Sequence, residues 1–203
     1  MVYNTIVIGI DQSYDDTGIS ISADGQLLDV KHVRLNNYKS HSARRAVLKE
    51  KLGLLMSAVA NKSENVVVVV ERARVHGGNA SFINIDVILA MGALVAVVED
   101  VFQPHDIPIY SIDTRAWKSA VVGSCKTCEN NCGVPPEKWL TVRWVIDQGF
   151  EHKILEPVDN PRKSKGTFYR NGQKYRYNDN AADSAAISMS WWSAEKNKLK
   201  KEG

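Results

Sequence analysis

The sequence predicts an α/β domain with a mixed five-stranded sheet that carries helices on both faces. Two uninterrupted runs of apolar, largely β-branched residues, 6–10 and 66–70, are typical of central strands covered on both sides. Three short strand patterns open the chain as an antiparallel meander, and after them strand patterns alternate with helical ones. All 203 residues are therefore expected to form a single domain.

The first part of the chain supplies four of the predicted strands and one helix. Residues 23–26 form a turn signal between the second and third strands. Ser40 or Ser42 can cap the helix, in which apolar residues recur at helical spacing as far as Val59. The predicted strands are 5–10, 17–22, 27–34 and 66–70.

The rest of the chain supplies the fifth strand, 109–111, and four further helices. Pro104 and Pro108 end a long apolar helix and open that strand. The helices are predicted at about 81–102, 113–122, 135–148 and from 179 onward.

Two segments interrupt this pattern. A cysteine-containing loop is predicted at 123–134 and a basic excursion at 150–178. Within the excursion, residues 167–176 alternate around an Asn-Gly pair, which is a strong signal for a β-hairpin.

Composition excludes several classes of protein. A hydrophobic fraction of 44% is ordinary for a globular protein, and no apolar stretch is long enough to cross a bilayer. The cysteines are three in number and confined to one loop, which does not suit a disulfide framework. We therefore expect a cytoplasmic protein without a membrane partner. The net charge of +3 is modest, so a polyanionic partner must be argued from where the charges lie.

Two carboxylates stand at the ends of the two most apolar strands. Asp11 follows the run 6–10, and Glu71 follows the run 66–70. Neighbouring strands lie about 5 Å apart, so both acids could share one divalent ion. A third acid, Asp183, lies near the start of the last helix, three residues after Asn180, so these two side chains project from one helix face.

Carboxylate oxygens favour Mg²⁺ or Mn²⁺ over zinc. Two such ions, held about 4 Å apart with Asp11 as the bridging ligand, would suit hydrolysis of a phosphodiester. Taken alone, Asp183 could equally be an ordinary acid in the first turn of a helix. The expectation that Asp183 lies together with Asp11 and Glu71 favours a metal site.

Several segments, taken together in order and spacing, resemble the RuvC-type Holliday junction resolvases over most of residues 5–195. The resemblance excludes the cysteine loop and the basic excursion. The matching segments are 9–13 (GIDQS), 17–18, Glu71, 79–81, 117–123, 137–138 and 181–185.

The resemblance implies an RNase H-like fold, a homodimer and paired, metal-dependent incisions in four-way DNA junctions. It implies that Lys118 faces the scissile phosphate and that Lys138 faces the DNA. It also implies that the helix 81–102 lies at the dimer interface. The insertions and the small size resemble phage-encoded members, which would place the protein in a host cytoplasm.

The chain departs from the family pattern at Asn180, where the family has a carboxylate. An amide oxygen is a poorer Mg²⁺ ligand than a carboxylate. Three explanations stay open: neighbouring Asp179 substitutes, three acids suffice, or Asn180 is an engineered, inactivating replacement. In each case Asn180 is expected to line the site and the second metal to bind weakly.

Basic residues supply the expected DNA-binding surface. One group follows Glu71 directly and the other lies in the basic excursion, where aromatic residues that could stack on bases are interleaved. The predicted DNA-binding residues are Arg72, Arg74, His76, Asn79, Lys138, Arg170, Lys174 and Arg176.

The cysteines have the spacing Cys125-x-x-Cys128-x-x-x-Cys132. No fourth ligand is nearby in sequence, although His105 or His152 could supply one through the fold, so we do not expect zinc there.

The sequence therefore predicts a structure-selective DNA endonuclease. Two alternatives remain: a branched-DNA-binding protein with weak or absent cleavage, because Asn180 replaces an acid, and an actin-like phosphotransferase or ATPase that shares the opening meander.

Overall fold

A mixed five-stranded sheet forms the centre of the computed structural model, which describes residues 2–72, 85–123, 136–158, 167–170 and 173–202. The strand order is β3-β2-β1-β4-β5, with β1, β2 and β3 antiparallel and β4 and β5 parallel to β1. The predicted fold class is confirmed. The strands are β1 (Thr5–Asp11), β2 (Asp16–Ala23), β3 (Gln26–Arg34), β4 (Asn65–Glu71) and β5 (Ile109–Ile112).

Helices cover this sheet on both faces. The Ser40 side chain caps α1 by accepting a hydrogen bond from the Ala43 N–H, and Asp113 caps α3 in the same way through the Arg115 N–H. The helices are α1 (His41–Ala60), α2 (Ile85–Phe102), α3 (Thr114–Val121), α4 (Pro136–Asp147), α5 (Glu151–Ile154) and α6 (Asp179–Glu202).

Alternate residues of the central strands serve the two faces of the sheet. Even-numbered residues of β1 and β4, such as Ile8 and Val68, pack in the core formed with α1 and α2. Odd-numbered residues, such as Val7 and Val69, pack with Trp117 of α3 and with residues of α6. At the ends of β1 and β4, an even or odd residue number therefore decides which face of the sheet a side chain points to.

Two glycines let α6 lie directly on the sheet. A Cβ atom at Gly9 of β1 would come within 2.3 Å of the Ser184 carbonyl oxygen. One at Gly18 of β2 would come within 1.9 Å of the Asn180 carbonyl oxygen. No larger side chain fits at either place, so both glycines are needed for the close approach of this helix.

The segment 150–178 contains more regular structure than the sequence predicts. β7 (Thr167–Arg170) and β8 (Gln173–Tyr177) pair antiparallel, as the Asn-Gly signal predicts, although the turn itself lies outside the described residues. The sequence missed α5 and β6 (Leu155–Pro157), and β6 extends the hairpin into a three-stranded sheet of order β6-β8-β7. Buried Ile154 and Tyr177 anchor this small sheet in the core with α4 and α6.

Two predicted features lie partly or wholly outside the described residues. The cysteine loop with Cys125, Cys128 and Cys132 is outside them, and the long helix is described from Ile85 rather than from residue 81. None of the helices in the described ranges has the length and apolar character needed to cross a membrane.

Candidate active site

Asp11 and Glu71 end two neighbouring parallel strands and point to the same face of the sheet. The register pairs Ile10 with Val70, so the two acids are the next residues on adjacent strands. Their odd numbers place both side chains on the face covered by α6.

Asp183 reaches the same place from α6. The close contacts at Gly9 and Gly18 hold residues 180–188 of this helix against β1 and β2. The next residue, Ser184, is in close contact with Gly9 of β1, and the charge of Asp183 raises the pKa of Asp11. Three acids that are distant in sequence therefore form one cluster.

The pKa of Asp11 is raised well above its ordinary value. Burial is the largest cause, followed by the negative charges of Asp183 and Glu71. Lys138 and Lys118 oppose the shift without cancelling it. A negative charge on Asp11 is thus poorly compensated by the protein's own groups, and a cation near the cluster would relieve it.

The pKa of Asp183 is also raised, by a smaller amount than that of Asp11. Burial raises its pKa to about 6, and the charge of Glu71 adds to that effect. Lys118, the Thr141 hydroxyl and Lys138 act in the opposite direction.

The helices α3 and α4 each present one threonine and one lysine to the cluster. Thr114 and Lys118 are four residues apart, and Lys138 and Thr141 are three apart, so each pair shares a helix face. The Thr114 hydroxyl donates a hydrogen bond to Glu71 Oε1. The buried Thr141 hydroxyl lies beside Asp183 and lowers its pKa, although its geometry falls short of a hydrogen bond.

Sequence reasoning missed both threonines. Their helical spacing from Lys118 and Lys138 is the one signal that could have pointed to them.

Asn180 lies over Gly18, and Gly18 is paired with Asp11 in the register of β1 and β2. Its side-chain amide donates a hydrogen bond to the backbone carbonyl of Asp16. That bond uses the NH₂ group, which an aspartate would lack. Neighbouring Asp179 forms an ion pair with Lys138.

The oxygen atoms of this cluster are of the kind that bind a hard divalent cation. The cluster has three carboxylates that repel one another. Gln12, the residue after Asp11, is buried, and its amide has no hydrogen-bond partner among the described residues. As the side chains stand, however, no three His, Cys, Asp or Glu residues in the described ranges are close enough together to hold a metal ion.

The predicted DNA-binding residues fall into two groups. Arg72 follows β4 and is exposed, and Arg176 is exposed on β8, where it pairs in register with Glu156 and Thr167. Lys174 is half-buried on β8, and Arg170 ends β7. Arg74, His76 and Asn79 lie outside the described residues.

Comparison with solved structures identifies the fold. Thermus thermophilus RuvC, in a complex with a Holliday junction substrate, matches with a TM-score of 0.58 and 13% identity, covering 96% of both chains. The fold is that of the RuvC-like resolvases. The yeast mitochondrial Holliday junction resolvase Ydc2 matches with a TM-score of 0.55 and 16% identity, over 99% of this chain and 84% of Ydc2.

A second structure of Thermus thermophilus RuvC matches with a TM-score of 0.55 and 16% identity, covering 95% of this chain and 96% of that one. A scan against protein-family models gives no match, and a search of curated proteins gives none. The similarity to the two resolvases is therefore a similarity of fold.

Proposed function

We propose that this chain is a metal-dependent endonuclease that hydrolyses phosphodiester bonds in Holliday junctions and other branched DNA. The observation that carries the proposal is the cluster of Asp11, Glu71 and Asp183 at one edge of the sheet, where burial raises the pKa of Asp11 and of Asp183. The RuvC-like fold supports the same reading, because its solved examples include two proteins named as junction resolvases or bound to a junction.

Asp11, Glu71 and Asp183 would hold the divalent ions, with Asn180 as a neutral fourth ligand. Mg²⁺ or Mn²⁺, two per site, would supply charge stabilisation at the phosphate and a lowered pKa for the attacking water. Asp11 would be the central metal-holding residue, because its strand lies between β2 and β4 and its charge interacts with those of both other acids.

Lys118 and Lys138 supply the positive charge of the site. The charges of both lysines lower the pKa of Asp11 and of Asp183. Lys118 would stabilise negative charge on the scissile phosphate, while Lys138, paired with Asp179, would contact the DNA backbone. The Thr114 hydroxyl would orient Glu71.

Arg72 and the small sheet would extend the DNA contacts beyond the acids. Arg72 directly follows Glu71 and is exposed, so it can reach a phosphate beside the cut bond. Arg170, Lys174 and Arg176 lie on the hairpin strands, and we propose that they follow the backbone of one junction arm. Arg74, His76 and Asn79 remain predicted DNA contacts.

The decisive test uses four-way, three-way and linear duplex DNA, each end-labelled and incubated with Mg²⁺, Mn²⁺ or EDTA. We expect cuts near the branch point of the four-way junction in either metal and no cuts in EDTA. Binding that persists in EDTA without cleavage in any metal would favour the alternative, a junction-binding protein. Neither binding nor cleavage would overturn the proposal.

Replacing Asn180 by Asp tests the departure from the family pattern. The hydrogen bond from the amide to the Asp16 carbonyl would be lost and a carboxylate would face that carbonyl, so in EDTA we expect a loss of about 1–3 kcal/mol in unfolding free energy. In Mg²⁺ the added carboxylate should strengthen metal binding, which lowers the Mg²⁺ concentration at half-maximal cleavage.

Thermal melts and metal titrations of cleavage measure both effects, with Asn180→Ala as the variant that removes the amide without adding charge. An Asn180→Asp protein with neither a gain in rate nor a changed metal dependence would contradict a metal-ligand role for this position.

We also propose that α2 forms a homodimer interface. Leu89 is 64% exposed, and Gly92 and Ala96 are exposed three and seven residues later, so an unusually apolar stripe with small residues faces outward. Leu89→Lys is expected to weaken the dimer by roughly 30-fold or more, the effect of losing an interface hot spot.

Sedimentation or light scattering over a range of concentrations measures the dimer. Leu54→Lys on α1 is the matched control, because Leu54 is similarly exposed at 60%. A protein that is monomeric at every concentration, or equal effects of the two variants, would contradict this interface.

A further inference from the structure

A polar pocket lies beside the acid cluster, between the ends of β2 and β3, the small sheet and the start of α6. Its volume is about 270 Å³. Asn180 lines it and also lies over Gly18, the register partner of Asp11. The pocket therefore lies beside β2, the strand whose Gly18 pairs with Asp11.

The acids that line the pocket already have hydrogen-bond or ion-pair partners within the protein. Asp16 accepts hydrogen bonds from His32 at 2.9 Å and from the Asn178 amide at 2.7 Å. Glu156 is paired with Arg34, and Asp179 is paired with Lys138. These carboxylates are therefore already engaged by donors of the protein, which makes the pocket a poor site for a cation.

The groups left available are amides and a guanidinium. Asn36, Asn37 and Arg176 all line the pocket, and among the described residues none of their side chains has a hydrogen-bond or ion-pair partner. Asn and Arg side chains are the groups that form paired hydrogen bonds with the edges of nucleobases, and Arg also binds phosphate.

We propose that this pocket binds one nucleotide that is displaced from the base stack next to the phosphodiester that is cut. The proposal rests on the nuclease function proposed above. The amides of Asn36 and Asn37 contact the base edge, and Arg176 contacts the base or its phosphate. An unpaired or extruded base can expose its edge in this way, and junction branch points are where extrusion is least costly.

The small sheet gives the pocket its outer wall. Arg34 of β3 and Glu156 of β6 form an ion pair that ties this sheet to the main one. Tyr177 is buried and fixes the end of β8 in the core, so Arg176 is held at the rim on a supported strand. The basic excursion thereby acquires a role in base selection, in addition to any contact with the DNA backbone.

One consequence is a preference for particular nucleotides at the cut. A paired set of hydrogen bonds to a base edge discriminates against the wrong base by about tenfold or more. The wild-type protein should show such a preference at one position beside the cut, and Asn37→Ala should reduce it by about tenfold without changing the net charge.

Binding is tested without cleavage. Four-way junctions carry 2-aminopurine at successive positions around the branch point, and their fluorescence is followed on saturation with protein in EDTA. We expect the fluorescence to rise at one position with wild-type protein and to stay low with Asn37→Ala and with Arg176→Ala. Gln103→Ala and Arg45→Ala are matched controls, since both residues are exposed and neither lines the pocket.

Cleavage of junctions with all four bases at that position provides the second readout. A flattened preference in Asn37→Ala supports the pocket, whereas an unchanged preference overturns it while leaving the nuclease proposal intact. A fluorescence rise with no cleavage by the wild-type protein in any metal would keep the pocket and overturn the nuclease proposal. No rise at any position, or equal rises in wild type and pocket variants, would overturn the pocket.

Discussion

Asp11→Asn is expected to reduce the cleavage of a four-way junction by roughly 10³-fold while binding of the junction persists. Asp11 stands at the end of the central strand β1, and its charge interacts with both Asp183 and Glu71. Loss of this ligand would remove several kcal/mol of charge stabilisation in the transition state, and each 1.36 kcal/mol is worth a factor of ten in rate. Single-turnover cleavage in Mn²⁺, alongside a binding assay in EDTA, measures the two effects separately.

Asp106→Asn is the matched control for that experiment. Asp106 is exposed and has a positive φ of 55°, a conformation that asparagine accepts readily, so this variant removes an equal charge at a remote position. Cleavage at near wild-type rate by Asp11→Asn would remove Asp11 from the catalytic set. If Asp11→Asn loses junction binding as well as cleavage, the loss of cleavage would come from the loss of binding and not from the chemical step.

The placement of Asp11 and Glu71 could be predicted from the sequence because it depends on simple periodicity. The apolar runs 6–10 and 66–70 are central strands, and each acid is the next residue. The alternation of side chains then puts Asp11 on the face of Val7, and Glu71 on the face of Val69. No knowledge of the tertiary structure is needed beyond the pairing of the two strands.

Features that depend on contacts between distant segments could not be predicted in this way. The hydrogen bond from Asn180 to the Asp16 carbonyl requires α6 to lie on Gly18, and the sequence pattern does not reveal that approach. The contact of Thr114 with Glu71 joins α3 to β4 for the same reason. Short elements such as α5 and β6 were missed, since their anchors, Ile154 and Tyr177, become recognisable as core residues only once α4 and α6 are in place.

Asp183→Asn is expected to stabilise the metal-free protein at neutral pH although it damages the site. Burial raises the folded-state pKa of Asp183 from 3.8 to about 6, so the folded protein prefers the protonated acid more than the unfolded chain does. The contribution of Asp183 to stability in EDTA should therefore fall as the pH rises from about 4 to about 6 and then level off. A difference of about two pKa units corresponds to about 3 kcal/mol, which the neutral amide would recover above pH 6.

Thermal melts in EDTA between pH 4 and 8 measure this effect, and a gain of roughly 5–10 °C in Tm is expected at pH 7.5 for a chain of this size. In Mg²⁺ the order should reverse or narrow, because the ion stabilises the wild type by binding its carboxylates and has less to bind in the variant. Asp147→Asn, which removes an exposed carboxylate from α4, should leave both profiles unchanged. If the metal-free Asp183→Asn protein is no more stable than the wild type at pH 7.5, then the burial of Asp183 and its repulsion by Glu71 are too weak to attract a cation.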